Sequence, residues 1–217
     1  MPEGSRVVIS LGGSFIFANM NKVKRLKTLL ERRHLNAVLV TGGGRLAREY
    51  IDFARRMGLH GDKLHNIGIK STMLNAFIMA EYFKCRYYAG DPRNIGRVTT
   101  TLATGGYKPG WTTDVCAAYA CISTGAKVLF NISKERGVFD KDPSRFKNAK
   151  ILHDMPFSDL YKLTKGRRKP GMNYIFDPMA ARICEKYGID VVVTNSIDDI
   201  SKYLIGQKIV GTTIRNL

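Results

Sequence analysis

Three short β-branched or apolar runs in this 217-residue chain each end in glycines, and this repeated junction restricts the fold more than any other feature. The runs occupy residues 6–11, 37–40 and 98–103, and they lead into Gly12-Gly13-Ser14, Gly42-Gly43-Gly44 and Gly105-Gly106. Apolar residues at helical spacing follow the first two runs, over residues 21–33 and from Arg45 to Gly58. Strands that alternate with helices in this way predict an α/β fold, with a largely parallel sheet between helices on both faces.

The remaining patterns continue this alternation to the end of the chain. Further helices are predicted over residues 69–83, 112–124, 158–165, 178–187 and 197–205, and further strands over 84–88, 128–132, 190–194 and 209–213. Turn residues dominate 137–150, where we expect a hairpin, and 58–63, where we expect a turn between helices. No repeat or low-complexity linker interrupts the pattern, so we predict a single domain over residues 1–217.

The composition is that of a folded protein with an excess of positive charge. Lys and Arg total 35 against 18 Asp and Glu, a formal charge of +17, and 44% of the residues are hydrophobic. Such a charge attracts polyanions without identifying which, and a generally basic host proteome would also explain it. No apolar run approaches the roughly 20 residues of a membrane helix, and no charged-then-apolar leader precedes the first strand. We therefore expect a cytoplasmic protein with no membrane attachment.

Cysteine and histidine spacing indicates neither a disulfide framework nor a metal site. The four cysteines, Cys85, Cys116, Cys121 and Cys184, form no CxxC pair, and the four histidines share no ligand-like spacing. The sequence also lacks the GxSxG and HExxH motifs of common hydrolases. We expect buried, reduced thiols and no hydrolytic nucleophile of these kinds.

Glycines between a strand and a helix allow backbone N–H groups to approach an anion, and the helix N-terminus adds partial positive charge. Ligands of such sheets bind beyond the carboxyl ends of the strands, so the three glycine loops should meet at one edge. Arg45 and Arg48 lie beside the second loop, which favours phosphate binding. At least one of the loops is expected only to turn the chain.

The glycine loops do not match two common nucleotide motifs. No GKS or GKT follows at Walker A spacing. Gly42, Gly44 and Ala47 fit G-x-G-x-x-A, but the acidic residue expected about 20 positions later is missing in context, since Asp62 lies in a predicted turn. Phosphoryl transfer to a second phosphate fits better, because the attacking oxygen is already ionised and needs only alignment and charge neutralisation.

Seven motifs in order then connect the chain with a known family. They are ISLGGSF (9–15), VTGGGRLAREYI (40–51), IGIKSTMLNA (67–76), TGGYKPGWTTDVCAA (104–118), GVFDKDP (137–143), FDPMAARI (176–183) and VGTTI (210–214). Across nearly the whole chain they resemble the archaeal-type uridylate kinases of the amino acid kinase superfamily. The resemblance implies a three-layer αβα sandwich whose acceptor-binding part covers roughly residues 1–125 and whose ATP-binding part covers roughly residues 126–217. It also implies a cytoplasmic homohexamer, built from dimers, that transfers the γ-phosphoryl group of ATP to UMP with Mg²⁺ in pyrimidine nucleotide biosynthesis.

The resemblance further implies roles for individual residues. Those matched to the ATP site are Gly12, Gly13, Ser14, Gly44, Arg48, Ser133, Phe139 and Asp142. Those matched to the UMP site are Gly43, His65, Thr104, Gly105, Gly106, Gly110, Thr112, Thr113 and Asp114. Those matched to catalytic positions are Arg48, Lys134, Asp114 and Asp177. No residue is assigned as a direct metal ligand, and the two carboxylates are expected to face Mg²⁺, its water or a basic side chain.

Some of these residues also have purely structural interpretations. Thr112 and Thr113 precede a predicted helix and can cap it, and the Asp177-Pro178 pair is a typical helix start. Phe139 can belong to the core or can stack on a base. For Thr112 and Thr113, capping and ligand contact can coexist.

The sequence departs from the family at several points. His65 replaces the acidic residue that holds the UMP ribose, Met73 replaces an arginine, Glu135-Arg136 replaces the aspartate of a VDGVY pattern, and the stretch between Phe83 and Thr104 is short. Ser10 stands where bacterial relatives have a lysine, which some archaeal relatives also lack. These changes leave the phosphate contacts in place and leave two alternatives open. One is a superfamily kinase for a different phosphate or carboxylate acceptor, and the other is a non-catalytic nucleotide- or anion-binding homologue.

The basic run at residues 165–169 has three interpretations, which are a solvated loop, an electrostatic lid near the triphosphate, and a nucleic-acid contact. The chain has no aromatic-basic stripe of the kind that binds RNA, which argues against the third.

Overall fold

The computed structural model describes residues 6–143, 145–164 and 175–216, with Thr164 described by its backbone only. The basic run 165–169 lies outside these residues. The strands are β1 (Arg6–Leu11), β2 (Asn36–Thr41), β3 (Arg86–Tyr87), β4 (Leu102–Thr104), β5 (Val128–Ile132), β6 (Asp154–Pro156), β7 (Asp190–Thr194) and β8 (Thr212–Arg215). The helices are α1 (Gly13–Ala18), α2 (Met20–Arg32), α3 (Gly44–Arg56), α4 (Asp62–Phe83), α5 (Thr113–Thr124), α6 (Phe157–Thr164), α7 (Pro178–Tyr187) and α8 (Asp198–Leu204).

Within the described residues the strands form one eight-stranded sheet in the order β3-β4-β2-β1-β5-β7-β8-β6. The central strand is β1, where Val8 lies opposite Val38 of β2 and Leu129 of β5. Every pairing is parallel except the one between β7 and β8. The carboxyl ends of β1, β2, β4, β5 and β7 therefore lie at one edge of the sheet.

Helices cover both faces of this sheet. On β1, Val8 packs in one apolar cluster with residues of α5, α6 and α7. Val7 and Ile9 pack in a second cluster with residues of α1, α2, α4 and α8. Burial on both faces is typical of a parallel sheet between two helical layers. The predicted three-layer αβα sandwich is confirmed.

The segment after β1 differs from the prediction. No helix was predicted before residue 21, yet α1 begins at Gly13. The carbonyl of Gly12 accepts hydrogen bonds from the amides of Phe15 and Ile16 at 2.8 and 3.1 Å, and both of these side chains are buried. Burial of two large apolar side chains stabilises a helical turn that the neighbouring glycines would not favour alone.

Helix α4 also begins earlier than predicted, at Asp62 rather than at residue 69. The predicted turn over residues 58–63 is therefore too long, because residues 62 and 63 belong to α4. Gly61, with φ of +58°, completes the reversal from α3, because glycine adopts this left-handed conformation without steric cost. The helix can thus start at the next residue.

The second half of the chain also differs from the predictions in its strands. The predicted hairpin within 137–150 is reduced to one antiparallel bridge between Phe139 and Ile151. Strand β6 was not predicted, and β8 replaces the predicted strand at 209–213. The amides of Val210 and Gly211 instead donate to the buried carboxylate of Asp199, at 3.0 and 2.9 Å, which holds this segment as a loop.

The cysteines agree with the prediction of reduced thiols. All four are free, and Cys116, Cys121 and Cys184 are buried. Burial raises the pKa of Cys116 and of Cys184 to about 12, so these thiols stay protonated at neutral pH. Among the described helices, none combines the length and the hydrophobicity needed to cross a membrane.

Candidate active site

The glycine loops after β1 and β2 meet at the edge formed by the carboxyl ends of the strands. The amide of Gly42 donates to the carbonyl of Leu11 at 2.8 Å, and the amide of Gly12 donates to the carbonyl of Ile132 at 2.9 Å. Gly13 is pressed against the loop after β2, because a methyl group added to it would overlap backbone atoms of that loop. Only glycine fits there, and its small size keeps two loops rich in backbone N–H groups in contact.

The loop after β4 lies beside these two. Thr104 is buried at the end of β4, and its carbonyl lies 3.4 Å from the hydroxyl of Thr41 at the end of β2. The amide of Gly106 donates to the hydroxyl of Thr72 on α4 at 2.7 Å. The structure therefore brings the three predicted glycine loops to one edge of the sheet.

The chain between this loop and α5 carries an aromatic cluster. Trp111 stacks on Tyr119 of α5, with ring centroids 4.5 Å apart. The Nζ atom of Lys108 lies 4.3 Å from the centroid of the Trp111 ring, within the range of a cation–π interaction. The cluster fixes the end of the loop on the side of α5.

The start of α5 confirms the structural role considered for one threonine. The hydroxyl of Thr112 accepts a hydrogen bond from the amide of Val115 at 3.3 Å and so caps the helix. Thr113 is the first helical residue. Gly110, just before them, is exposed and has φ of +82°. The predicted contacts of these residues with UMP stay predictions.

Asp114, in the first turn of α5, connects three separate elements. Its Oδ1 atom accepts hydrogen bonds from the hydroxyl of Ser10 on β1 at 3.0 Å and from Nδ2 of Asn131 on β5 at 3.2 Å. Its Oδ2 atom accepts from the amide of Asp177, just before α7, at 3.3 Å. Asn131 was not predicted as a site residue, because its separation from Asp114 along the chain leaves no local motif.

The surroundings of Asp114 alter its acidity. Burial raises its pKa to about 6, and the charge of Asp177 acts in the same direction. The hydrogen bonds from Ser10 and from the Asp177 amide stabilise the ionised form and oppose this effect. The Asp114 carboxyl group is therefore mostly ionised at neutral pH, and mild acidification protonates it.

Asp177 lies at the start of α7 and faces Asp114 at the start of α5. Its Oδ1 atom accepts hydrogen bonds from the amides of Met179 and Ala180 at 2.7 and 3.1 Å, and Pro178 occupies the first helical position. The predicted helix cap is confirmed. One carboxylate oxygen of Asp177 holds the helix, and the backbone amide of the same residue contacts Asp114.

The loop after β5 carries the residues matched to the phosphate side of ATP. Ser133 donates its amide to the carbonyl of Thr194 at 3.1 Å and lies next to Gly12, where an added Cβ would be 3.7 Å from the Cα of Ser133. The Nζ atom of Lys134 lies 3.5 Å from a carboxylate oxygen of Glu135, and the Lys134 side chain is 73% exposed. The lysine is thus able to reorient towards an anionic ligand at this edge.

The residues matched to the nucleoside of ATP lie farther along this segment. Phe139 is half-buried and forms the bridge with Ile151. Asp142 pairs with Arg145 at 3.6 Å. Their predicted contacts with adenine and ribose stay predictions.

Arg48 and His65 are both exposed. Arg48 lies near the start of α3, directly after the loop that follows β2, and no described residue forms an ion pair with its guanidinium. His65 lies in the first turns of α4, where its Nδ1 is 3.7 Å from a carboxylate oxygen of Asp62. Arg48 thus lies beside the glycine loop after β2, and Asp62 is the one ion-pair partner of His65 among the described residues. Ser14 is exposed at the start of α1.

The carboxylates at this edge fit Mg²⁺ held mainly by substrate phosphates. Mg²⁺ prefers oxygen ligands and commonly binds through one or two carboxylates, water and phosphates. The oxygens of Asp114 already accept three hydrogen bonds, whereas within the described part of the chain those of Asp177 accept bonds on Oδ1 only. Within the described residues, no group of three His, Cys, Asp or Glu side chains could hold a metal ion alone.

Comparisons with known proteins agree with this geometry. The amino acid kinase family model matches residues 5–195. Uridylate kinases from Thermoplasma acidophilum and Hyperthermus butylicus are 35% and 30% identical to this chain; the alignments cover 96% of it in both cases, and 96% and 97% of the relatives. The crystal structure of uridylate kinase from Archaeoglobus fulgidus has a TM-score of 0.79 at 29% identity, covering 96% of this chain and 99% of that one. This chain belongs to the amino acid kinase family.

Proposed function

We propose that this chain is a uridylate kinase, a phosphotransferase that moves the γ-phosphoryl group of ATP to UMP and forms UDP and ADP. The observation that carries the proposal is similarity over 96% of the chain to relatives named uridylate kinase, up to 35% identical. The three glycine loops at one sheet edge support it, because two anionic substrates need several backbone N–H groups close together.

The acceptor is proposed to bind on the β2 and β4 side of this edge. Gly43 and Arg48 contact the UMP phosphate, and the loop from Thr104 to Gly110 contacts the nucleoside. Thr112, Thr113 and His65 add polar contacts, with His65 donating or accepting a hydrogen bond at a ribose hydroxyl. The accessible position of His65 on α4 is compatible with this role.

ATP is proposed to bind on the β1, β5 and β7 side. The residues that contact its phosphates are Gly12, Gly13, Ser14, Gly44, Arg48 and Ser133. Phe139 and Asp142 contact the adenine and the ribose. The proximity of Gly12 and Ser133 supports a shared phosphate site between the loops after β1 and β5.

In this arrangement the chain promotes transfer by alignment and charge neutralisation. A UMP phosphate oxygen attacks the γ-phosphorus of ATP and needs no general base, because it is already ionised. Arg48 and Lys134 stabilise negative charge in the transition state, and Asp114 and Asp177 keep the facing helix ends at a fixed separation. When bound, Mg²⁺ would supply further charge neutralisation at the ATP phosphates, and Asp177 would hold it through a carboxylate oxygen or through a water.

The proposal extends to assembly and to the cellular role. We propose a cytoplasmic homohexamer, built from dimers, that supplies UDP in pyrimidine nucleotide biosynthesis. Exposed aromatic residues on neighbouring helices support self-association, since Tyr50 and Phe53 of α3 and Phe77 of α4 are 52%, 54% and 47% exposed. Light scattering coupled to size exclusion measures the assembly directly.

A coupled assay of ADP release tests the activity. The purified chain is incubated with Mg²⁺-ATP and, in separate reactions, with UMP, CMP, dTMP and small carboxylic acids. We expect turnover of UMP at a higher kcat/KM than any other acceptor. Turnover of another acceptor without turnover of UMP, or nucleotide binding with no transfer at all, would refute the proposal.

A further inference from the structure

One face of α4 fastens two of the glycine loops through buried polar side chains. The hydroxyl of Thr72 accepts a hydrogen bond from the amide of Gly106 at 2.7 Å and donates to the carbonyl of Ile69 at 2.7 Å. The carbonyl of Thr72 accepts from the hydroxyl of Thr41, at the end of β2, at 2.8 Å. Thr72 therefore contacts the chain near both loops, after β2 and after β4.

Asn75 lies one helical turn later and holds the loop after β2. Its Nδ2 atom donates to the carbonyl of Gly42 at 2.7 Å and lies 3.5 Å from the carbonyl of Gly43. The residue is only 1% exposed. Since two carbonyl oxygens face Nδ2, the amide cannot be flipped without placing its oxygen against them.

The other end of the Asn75 amide receives no hydrogen bond within the described part of the chain. No described residue donates to Oδ1, which is fully buried. A buried acceptor without a partner destabilises the folded state, a cost that an apolar residue of similar size would avoid. The Asn75 amide thus contributes less to stability than its burial suggests. Its hydrogen bond to the carbonyl of Gly42 is the contact that accounts for an asparagine at this position.

Glycine loops have no side chains with which to hold each other in place. Backbone N–H groups bind a phosphate well only if they already point towards it, so loops of this kind need support from a neighbour. In the loops after β2 and β4, that support comes from Thr72 and Asn75. Neither residue was predicted from the sequence as part of the site.

We propose that Thr72 and Asn75 are positioning residues that set the spacing between the two acceptor loops and so determine the affinity for the acceptor. The proposal rests on the proposed function, which places the acceptor on these loops. Neither side chain contacts the reacting atoms. Their loss should weaken acceptor binding much more than ATP binding, because the proposed ATP contacts other than Gly44 and Arg48 lie on or beyond the loops after β1 and β5.

Kinetics of matched variants provide the first test. Thr72→Val keeps the shape of the side chain without its hydroxyl, Thr72→Ser keeps the hydroxyl, and Asn75→Leu removes the amide. Ser71→Ala is the control, since Ser71 is also buried on α4, but among the described residues its hydroxyl bonds only the carbonyl of Ile67. We expect Thr72→Val and Asn75→Leu to raise KM for UMP roughly tenfold, with KM for ATP within about twofold of the wild type. Thr72→Ser should restore the wild-type value, and Ser71→Ala should leave both constants unchanged.

Hydrogen exchange measured by mass spectrometry gives a second test that does not depend on turnover. Thr72→Val should speed exchange in the peptide containing Gly106, and Asn75→Leu should speed exchange in the peptide containing Gly42 and Gly43. Both variants must first show a cooperative thermal transition. Unchanged exchange in both loops, or equal rises in KM for UMP and ATP, would overturn the inference. If the wild-type chain does not use UMP, the proposed function fails, but faster loop exchange would still support the positioning role.

Discussion

The amide of Asp177 donates a hydrogen bond to Oδ2 of Asp114 at 3.3 Å, which joins the starts of α7 and α5 across the sheet edge. The same Asp114 carboxylate accepts from Ser10 on the central strand. The two acidic residues are therefore held in place by the backbone as well as by side chains. Their separation should not change when a substrate phosphate enters between the loops.

The raised pKa of Asp114 predicts a specific pH dependence of stability. Burial raises the pKa of the Asp114 carboxyl group to about 6 in the folded state, whereas its ordinary value is 3.8. Between these two pH values the folded state therefore binds more protons than the unfolded state. The contribution of Asp114 to stability is thus fully present below pH 3.8 and is lost as the pH rises through 6. We expect the wild-type free energy of unfolding, minus that of Asp114→Asn, to fall between pH 4 and 7. Urea denaturation at several pH values measures it, and a flat or rising difference would contradict the prediction.

Two variants of Asp177 should separate its charge from its role as a helix cap. Asparagine caps a helix about as well as aspartate, while alanine costs about 1 kcal/mol. We expect Asp177→Asn to lower kcat by two or more decades with little change in Tm, and Asp177→Ala to lower both kcat and Tm. Steady-state kinetics and thermal denaturation measure the two effects. Normal kcat in Asp177→Asn would limit this residue to capping.

Removal of Arg48 should impair catalysis without affecting the fold. Its exposed guanidinium lies beside the loop after β2 and forms no ion pair with a described residue. We expect Arg48→Ala to lower kcat by two or more decades, equivalent to about 3–4 kcal/mol of transition-state stabilisation. Arg56→Ala, an exposed arginine in the last turn of the same helix, should retain wild-type kcat. Equal activity of the two variants would place the site elsewhere.

The two glycines after β1 should respond differently to the same substitution. A Cβ on Gly13 would overlap the loop after β2, whereas a Cβ on Gly12 would have its closest contact at 3.5 Å, with the carbonyl oxygen of Ile132. We therefore expect Gly13→Ala to lower Tm by several degrees, at about 1–3 kcal/mol, and Gly12→Ala to leave Tm nearly unchanged. Differential scanning calorimetry makes the comparison. Equal Tm values would show that the two loops are not in tight contact.

The strands and long helices could be predicted because their signals are local. Strand β5 and helix α7 agree with the predicted ranges residue for residue, since each combines an apolar pattern with clear turn or cap residues at its ends. Helix α1 could not be predicted, because it depends on burial of Phe15 and Ile16 against the sheet. The start of α4 was missed because turn residues were taken to extend past Gly61.

In the site, too, features encoded by neighbouring residues could be predicted, whereas contacts between residues distant in sequence could not. The glycine loops and the Asp177-Pro178 pair carry their own motifs, so their place at strand and helix ends was predictable. The contact of Asp114 with Ser10 spans 104 positions, and that of Asn75 with Gly42 spans 33. Such contacts follow from strand order and helix packing, for which the sequence gives no pairwise signal.

The stacking of Trp111 on Tyr119 has a practical consequence. Trp111 is the only tryptophan in the chain, so all of its intrinsic indole emission originates at the end of the loop after β4. The emission wavelength depends on the polarity around the indole, and the intensity depends on the stacked phenol and the nearby ammonium of Lys108. Fluorescence titration without any attached dye can therefore follow a nucleotide that enters this loop.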